Sequence, residues 1–318
     1  MKLSVETRSP ADTRVDALVV GRHAGETRLA PALAAVDAKL EGALGRMLVA
    51  EKFEGKPGQL SHLYTEGRIG AARVLVVGLG PRRVSDAEVV RRSSSAAVRR
   101  ARDLGAASVA VHMPADGLSP RARAQAIVEG ALLGTYRFDK YLREKNGKVV
   151  QALSVIEPDG RQRAAVREGI RVGEIGAAAT CLARDLVNEP ANVVTPTYLA
   201  ERAEEIARAG RVRVRVLERE DCEKLGMGAF VGVAQGSQEP PKFIHLTYAP
   251  SRRARRKVVV IGKGITFDSG GLDLKSADGM LRMKDDMSGA AAVLGLFTAL
   301  PKLRLPVEVH GLIAATEN

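Results

Sequence analysis

The sequence predicts an α/β protein of two domains. Three observations carry that expectation. Short apolar runs alternate with longer helical periodicities along the chain, the pattern of a layered fold around a parallel or mixed sheet. The chain has 318 residues, which suits about two domains of ordinary size. Hydrophobic residues make up 45% of it, a globular composition and not that of a disordered polymer. With six Phe, five Tyr and no Trp, the cores must rest on Val, Leu, Ile and Ala.

Taken in order, RVDALVVG from Arg14 and RVLVVGLG from Arg73 read as short buried strands, and SVAVHM from Ser108 and ALSVIEP from Ala152 read likewise. Helical patterns lie between them at Leu29–Leu48, Asp86–Leu104 and Pro120–Phe138. The GLG of Gly78–Gly80 invites a dinucleotide reading, but Pro81, Arg82 and Arg83 follow it and the third glycine is missing. A plain turn is the better reading. A long helical stretch from about Arg161 to Val187 suits a connector. The expected division is therefore 1–160, a connecting helix over 161–187, and a second domain over 188–318.

The second domain opens with a loop rich in Asn and Pro. Thr195 then caps a helix whose first turn holds Pro196, and Gly210 stops it. RVRVRVL from Arg211 alternates strictly, so it is a strand with one charged and one apolar face. KFIHLTY and KVVVIGKG are further strands, DMSGAAAVLGLFTALPKL is a helix rich in small residues, and VEVHGLIAA is the last strand.

Bulk charge and cysteine count narrow the classes. Lys plus Arg number 49 against 37 Asp plus Glu, a net charge of +12. The densest run, RRARRK at Arg252–Lys257, falls between two strands and reads as a solvated loop before a nucleic-acid patch. Two cysteines, Cys181 and Cys222, make no disulfide framework, and a reducing cytoplasm is the simpler expectation. The N-terminus has no signal-peptide apolar region, and no window reaches about 18 uninterrupted apolar residues, so no membrane span is expected.

The chemistry concentrates in GKGITFDSGG, Gly262–Gly271. DSGG echoes a reactive-serine context around Ser269. A triad also needs a positioned His–Asp pair, and none of the five histidines sits in a recognisable partner motif. A phosphate loop fails on spacing, because the lysine comes early and no Ser or Thr follows it. A metal remains. Asp268 and Asp286 are hard oxygen donors for divalent cations. Lys263 can join them only as a neutral amine, and lysines lose their proton readily beside cations. Lys275 can stay charged and face a substrate. Singly, each residue has a plainer reading: Asp286 as a helix cap, Asp268 as a turn residue, Lys263 as a solvated strand end. Together they favour the metal.

The stretch GKGITFDSGGLDLKSADGMLRMKDDMSGAAAVLG resembles the metal-binding core of the leucyl aminopeptidase family, also called cytosol aminopeptidases. LVNEPANVVTPTYLA from Leu186 and GMGAFVGVAQGSQEPPKFIHLTY from Gly226 extend the likeness to Leu186–Asn318. The resemblance implies a smaller N-terminal α/β domain and a larger C-terminal α/β catalytic domain with a central mixed sheet. It implies that Lys263 is the lysine ligand of one metal, Asp268 bridges two, and Asp286 binds the ion near the substrate amine. It makes Lys275 the catalytic lysine and Met283 a lining residue of the pocket for the first side chain. Two divalent ions, manganese or zinc, would serve a cytoplasmic, hexameric hydrolase that releases N-terminal residues, often Leu, from peptides. The family's remaining aspartate, glutamate and arginine come from a later segment that does not occur in this sequence. The expectation is therefore a chain cut before that segment, with its second metal site incomplete. A DNA-binding protein and a catalytically dead subunit of an aminopeptidase assembly are the rival readings.

Overall fold

The computed structural model describes residues 1–84, 86–114, 117–144 and 147–318. It divides into two compact units, Met1–Ala177 and Ala178–Asn318, each built on its own sheet. The two-domain α/β expectation holds.

The first unit contains strands β1 (Lys2–Glu6), β2 (Val15–Ala24), β3 (Leu60–Tyr64), β4 (Ala71–Pro81), β5 (Ser108–His112) and β6 (Ala152–Ile156). They pair in the order β1-β6-β5-β2-β4-β3. All neighbours are parallel except β3, which runs antiparallel to β4. Helices α1 (Pro31–Lys39), α2 (Ala43–Ala50), α3 (Ala87–Asp103) and α4 (Pro120–Thr135) cover the sheet. The period of two along β2 sorts the packing. Ala17 and Val19 join Val98 of α3 and Ile127 of α4, while Leu18 and Val20 join Leu33 of α1 and Leu44 of α2. Both faces are thus buried, which is why these strands are continuous apolar runs.

Three local expectations change. The run Leu29–Leu48 is two helices and not one, because Glu41 and Gly42 adopt φ of 52° and 77° between α1 and α2. β1 and β3 add two edge strands to the four expected. The Gly78–Gly80 segment is neither a turn nor a nucleotide loop. It lies inside β4, where the bare backbone of Gly78 abuts that of Gly55 and Lys56.

Helix α5 (Arg163–Asn188) carries the chain from the first unit into the second. The second unit continues with α6 (Pro196–Ala209), β7 (Val212–Leu217), α7 (Arg219–Lys224), α8 (Gly228–Val233), β8 (Lys242–Tyr248), β9 (Lys257–Ile265), α9 (Ala277–Met280), α10 (Ser288–Leu303) and β10 (Glu308–Thr316). Thr195 caps α6 as expected, accepting from the Tyr198 N–H at 3.2 Å. The sheet order is β7-β8-β10-β9. β8 is antiparallel to both β7 and β10, and β9 is parallel to β10. On one face Leu199 of α6 and Leu294 and Phe297 of α10 pack on Ile244, Leu246 and Ile313. On the other, Cys222 of α7 and Val231 of α8 pack on Leu217.

The backbone of β9 touches the start of α10. A Cβ at Gly262 would stand 2.4 Å from the Gly289 carbonyl oxygen, and one at Gly289 would stand 2.6 Å from the Lys263 nitrogen. Neither neighbour is a side chain that can swing away. We expect Gly262→Ala to destabilise the second unit by about 1–3 kcal/mol, the usual cost of overpacking. Hydrogen exchange of β9 and α10 amides in dilute urea reads this out, and unchanged protection would refute the contact.

A second expectation concerns the α7 and α8 side of this sheet. His245 of β8 lies 3.0 Å from His310 of β10 through ring nitrogens, and His310 contacts Glu308 at 2.9 Å, itself paired with Lys257. Burial, and then the charges of His310, Arg215 and Arg213, hold the His245 imidazole below its ordinary range. The unfolded chain therefore takes this proton at the higher pH. Stability is full above the unfolded pKa of about 6.5 and declines as pH falls through it. His245→Gln should flatten that decline in urea midpoints measured between neutral and mildly acidic buffer.

Candidate metal centre

The residues singled out from the sequence collect around the C-terminal ends of β9 and β10. Parallel pairing matches Ile265 with Thr316 at the far end of both strands. Lys263 lies within β9, Asp268 three residues after its end, and Asp286 two residues before α10. In open α/β sheets this edge is where ligands gather.

Each aspartate faces one lysine. Lys263 Nζ stands 2.7 Å from Asp286 Oδ2, a result of the glycine contact that draws β9 and α10 together. The amine is out of hydrogen-bonding alignment, and this buried oxygen has no hydrogen-bond partner among the described residues. Asp286 does not cap α10, since the cap position belongs to Met287. Asp286 instead follows the single turn Met283–Asp285, and its N–H points to the Met283 carbonyl at 3.4 Å. Met283 is half-buried there. Lys284 fixes the turn by donating to the carbonyl of Asn188 at 2.6 Å.

Asp268 is held more tightly. Lys275 Nζ lies 2.5 Å from its Oδ2 and also donates to its main-chain carbonyl at 3.3 Å. Oδ1 accepts from the Gly270 N–H at 2.9 Å and from Asn318 Nδ2 at 3.0 Å. The Lys275 ammonium first, and then the Asn318 amide and the Gly270 N–H, keep this carboxyl well below the usual carboxylate range, against the opposing effect of burial. The turn-residue reading of Asp268 is thus also true, but it is the smaller part of its environment.

Asn318 is the site residue that sequence reasoning missed. Its Oδ1 accepts from the Ser269 N–H at 2.7 Å while its Nδ2 serves Asp268. The available signal was its position just past a strand that pairs in parallel with β9. Glu317 points elsewhere and accepts from the Ser237 hydroxyl at 2.7 Å. Ser269 has no histidine against it in the contacts above, and its hydroxyl meets Gly271 N and Asn318 Oδ1.

No cluster of three or more His, Cys, Asp or Glu that could hold a metal occurs among the described residues. The donors present are two carboxylates and an amine. The buried Asp286 oxygen opposite the Lys263 nitrogen fits a divalent ion, because it accepts no hydrogen bond among the described residues and a carboxylate oxygen and an amine nitrogen can both ligate a metal. The proton on Lys263 must leave for that fit.

Comparison with known proteins identifies the family. Residues 181–318 match the cytosol aminopeptidase family, catalytic domain, and residues 19–145 match the N-terminal domain of the same family. A "Probable cytosol aminopeptidase" of Sulfurihydrogenibium sp. (strain YO3AOP1) is 36% identical over all of this chain and 63% of its own length. Another, of Gloeobacter violaceus, is 41% identical over 98% of this chain and 64% of its own. Among solved structures, a tomato leucine aminopeptidase mutant superposes with a TM-score of 0.87 at 33% identity, over 100% of this chain and 63% of that one. The bottromycin maturation enzyme BotP in complex with Mn gives 0.79 at 36% identity, over 96% and 60%. The chain thus spans about 64% of the length of the curated relatives it matches.

The geometry of Asp268 yields a direct test in metal-free buffer. Asn318→Ala removes a donor to the carboxylate, so the Asp268 pKa should rise, and Lys275→Met should raise it further. Carboxyl carbon NMR titration measures both. An unmoved titration in Lys275→Met would show that the pair does not form in solution.

Proposed function

The chain belongs to the cytosol aminopeptidase family, and we propose that it acts as a metal-dependent aminopeptidase that releases N-terminal residues, Leu above all, from peptides. The observation that carries the reading is the buried Asp286 oxygen without a hydrogen bond, set against the Lys263 amine.

In this reading Lys263, Asp268 and Asp286 would supply part of the ligand set of two divalent ions. The ions would supply Lewis acidity, activating water and holding the substrate's free amine and carbonyl oxygen. Manganese and zinc both suit oxygen-plus-amine donors, and the manganese complex of BotP supports the first. Lys275 is tied to Asp268 by its side chain, and its own N–H donates to the Ser269 carbonyl at 2.9 Å. That anchoring aims a cation where negative charge would develop on the carbonyl oxygen of the cleaved bond, a contribution of several kcal/mol in such sites. Met283, on the turn before Asp286, would line the pocket for the first side chain. A homo-hexamer and a cytoplasmic location belong to the same proposal. The free thiols Cys181 and Cys222 agree with a reducing compartment, and no helix among the described residues is long and apolar enough to cross a membrane.

Because Lys263 must lose a proton to bind, Mn2+ affinity should rise with pH, and calorimetry in buffers of different ionisation enthalpy should detect proton release. Lys263→Met should abolish both. Binding that ignores pH, or that survives the substitution intact, would exclude Lys263 as a ligand. With leucine p-nitroanilide and added Mn2+, Lys263→Ala and Asp268→Ala should each lose turnover.

A further inference from the structure

At the end of the second unit's sheet where β9 and β10 begin, a cavity of about 350 Å3 is lined by three arginines from separate segments. Arg211 precedes β7, Arg252 sits in the loop between β8 and β9, and Arg304 ends α10. We propose that this cavity binds a small molecule carrying phosphate groups. The proposal uses no residue of the candidate metal centre and goes beyond the aminopeptidase reading.

Close contacts build the walls. Gly210 ends α6 against Pro301 of α10, where a Cβ would stand 3.1 Å from the proline ring. That approach brings Arg211 and Arg304 to one place. Tyr248, buried at the end of β8, donates its hydroxyl to the Leu305 carbonyl at 3.2 Å, and the Arg255 N–H donates to the Pro306 carbonyl at 3.1 Å. These two bonds tie the loop that holds Arg252 to the segment that follows Arg304. Asn318 lies past the opposite end of β10, about 30 Å away by the rise of that strand, so the cavity does not depend on it.

The charge is unmatched. No carboxylate lines the cavity, and none of its three arginines is in an ion pair among the described residues. Other arginines of the same unit do find partners: on α6, Arg202 pairs with Glu205 and Arg208 with Glu204. Three like charges around one volume repel each other, and an anion between them replaces that repulsion with attraction. Guanidinium groups present forks of N–H donors that match phosphate oxygens, and Ser251 adds a hydroxyl to the lining. One phosphate group carries about −1.5 to −2 at neutral pH, so three arginines suit more than one such group. The volume falls within the range of small-ligand sites, about 300–1,000 Å3.

Arg304 adds a separate observation. It holds φ 56° and ψ 45°, the left-handed conformation, at the end of α10. Glycine is the usual residue there, so the helix end does not account for an arginine. A ligand for its guanidinium does.

Calorimetry with pyrophosphate and with inorganic phosphate, each titrated into the full chain in metal-free buffer, tests the site. Pyrophosphate should bind, more tightly than phosphate, and should raise the melting temperature as it saturates. Arg211→Gln and Arg252→Gln should each weaken pyrophosphate by about tenfold or more. Arg304→Asn should do the same while keeping the helix end, because asparagine tolerates the left-handed conformation. Arg253→Gln removes an equal charge from the same loop but outside the cavity, and it should change affinity by less than about twofold. A loss in Arg253→Gln as large as in Arg252→Gln would mean a diffuse basic surface and overturn the site. Failure of the unaltered chain to bind pyrophosphate would also overturn it. A short DNA duplex that displaces pyrophosphate at equal phosphate concentration would assign these arginines to nucleic acid and end the small-molecule proposal.

Discussion

At Gly262 and Gly289 two backbones meet with no side chain between them. Everything at the candidate centre follows from how close that contact is. It brings the end of β9 against the start of α10, so a lysine on the strand reaches an aspartate just ahead of the helix. A Cβ at Gly262 would sit 2.4 Å from the Gly289 carbonyl oxygen, roughly 1 Å inside ordinary van der Waals contact, so the two elements would have to part. The site is thus set by main-chain packing, which is stiff, and not by the rotamers of long side chains, which are soft.

The charges at the site balance internally. Two lysines and two aspartates form two pairs, and each pair uses the aspartate differently. Asp268 is enclosed by an ammonium, an amide and a backbone N–H, so it is fixed as a carboxylate in one orientation. Asp286 has an amine nearby but no aligned donor on its buried oxygen. One aspartate is held by several aligned donors and the other meets a single amine.

Much of this was readable from residues. The period of two in RVRVRVL and the unbroken apolar runs of the first unit foretold which strands have one buried face and which have two. Thr195 and Pro196 announced their helix start because capping is local chemistry. The failures share a cause as well. β1 and β3 are edge strands of only five residues each, too short for an alternation to stand out from its surroundings, so tertiary pairing defines them. The break between α1 and α2 turns on a non-glycine residue, Glu41, at positive φ, which propensity does not flag. Asn318 looked like an end of chain and not a site residue, because its role depends on strand order.

That last point can be pressed further. β9 and β10 have nine residues each and run in the same direction. At about 3.3 Å per residue, an antiparallel arrangement would have left Asn318 roughly 30 Å from Asp268, at the opposite edge of the sheet. Parallel pairing requires a crossover, and α10 is that crossover. The same helix therefore does two things at once. Its first turn closes on Gly262 and positions Asp286, and its length returns the chain so that β10 delivers Asn318 to Asp268. The lysine pair and the asparagine clamp have a common origin in one β-α-β connection, and neither could be had with the strands reversed.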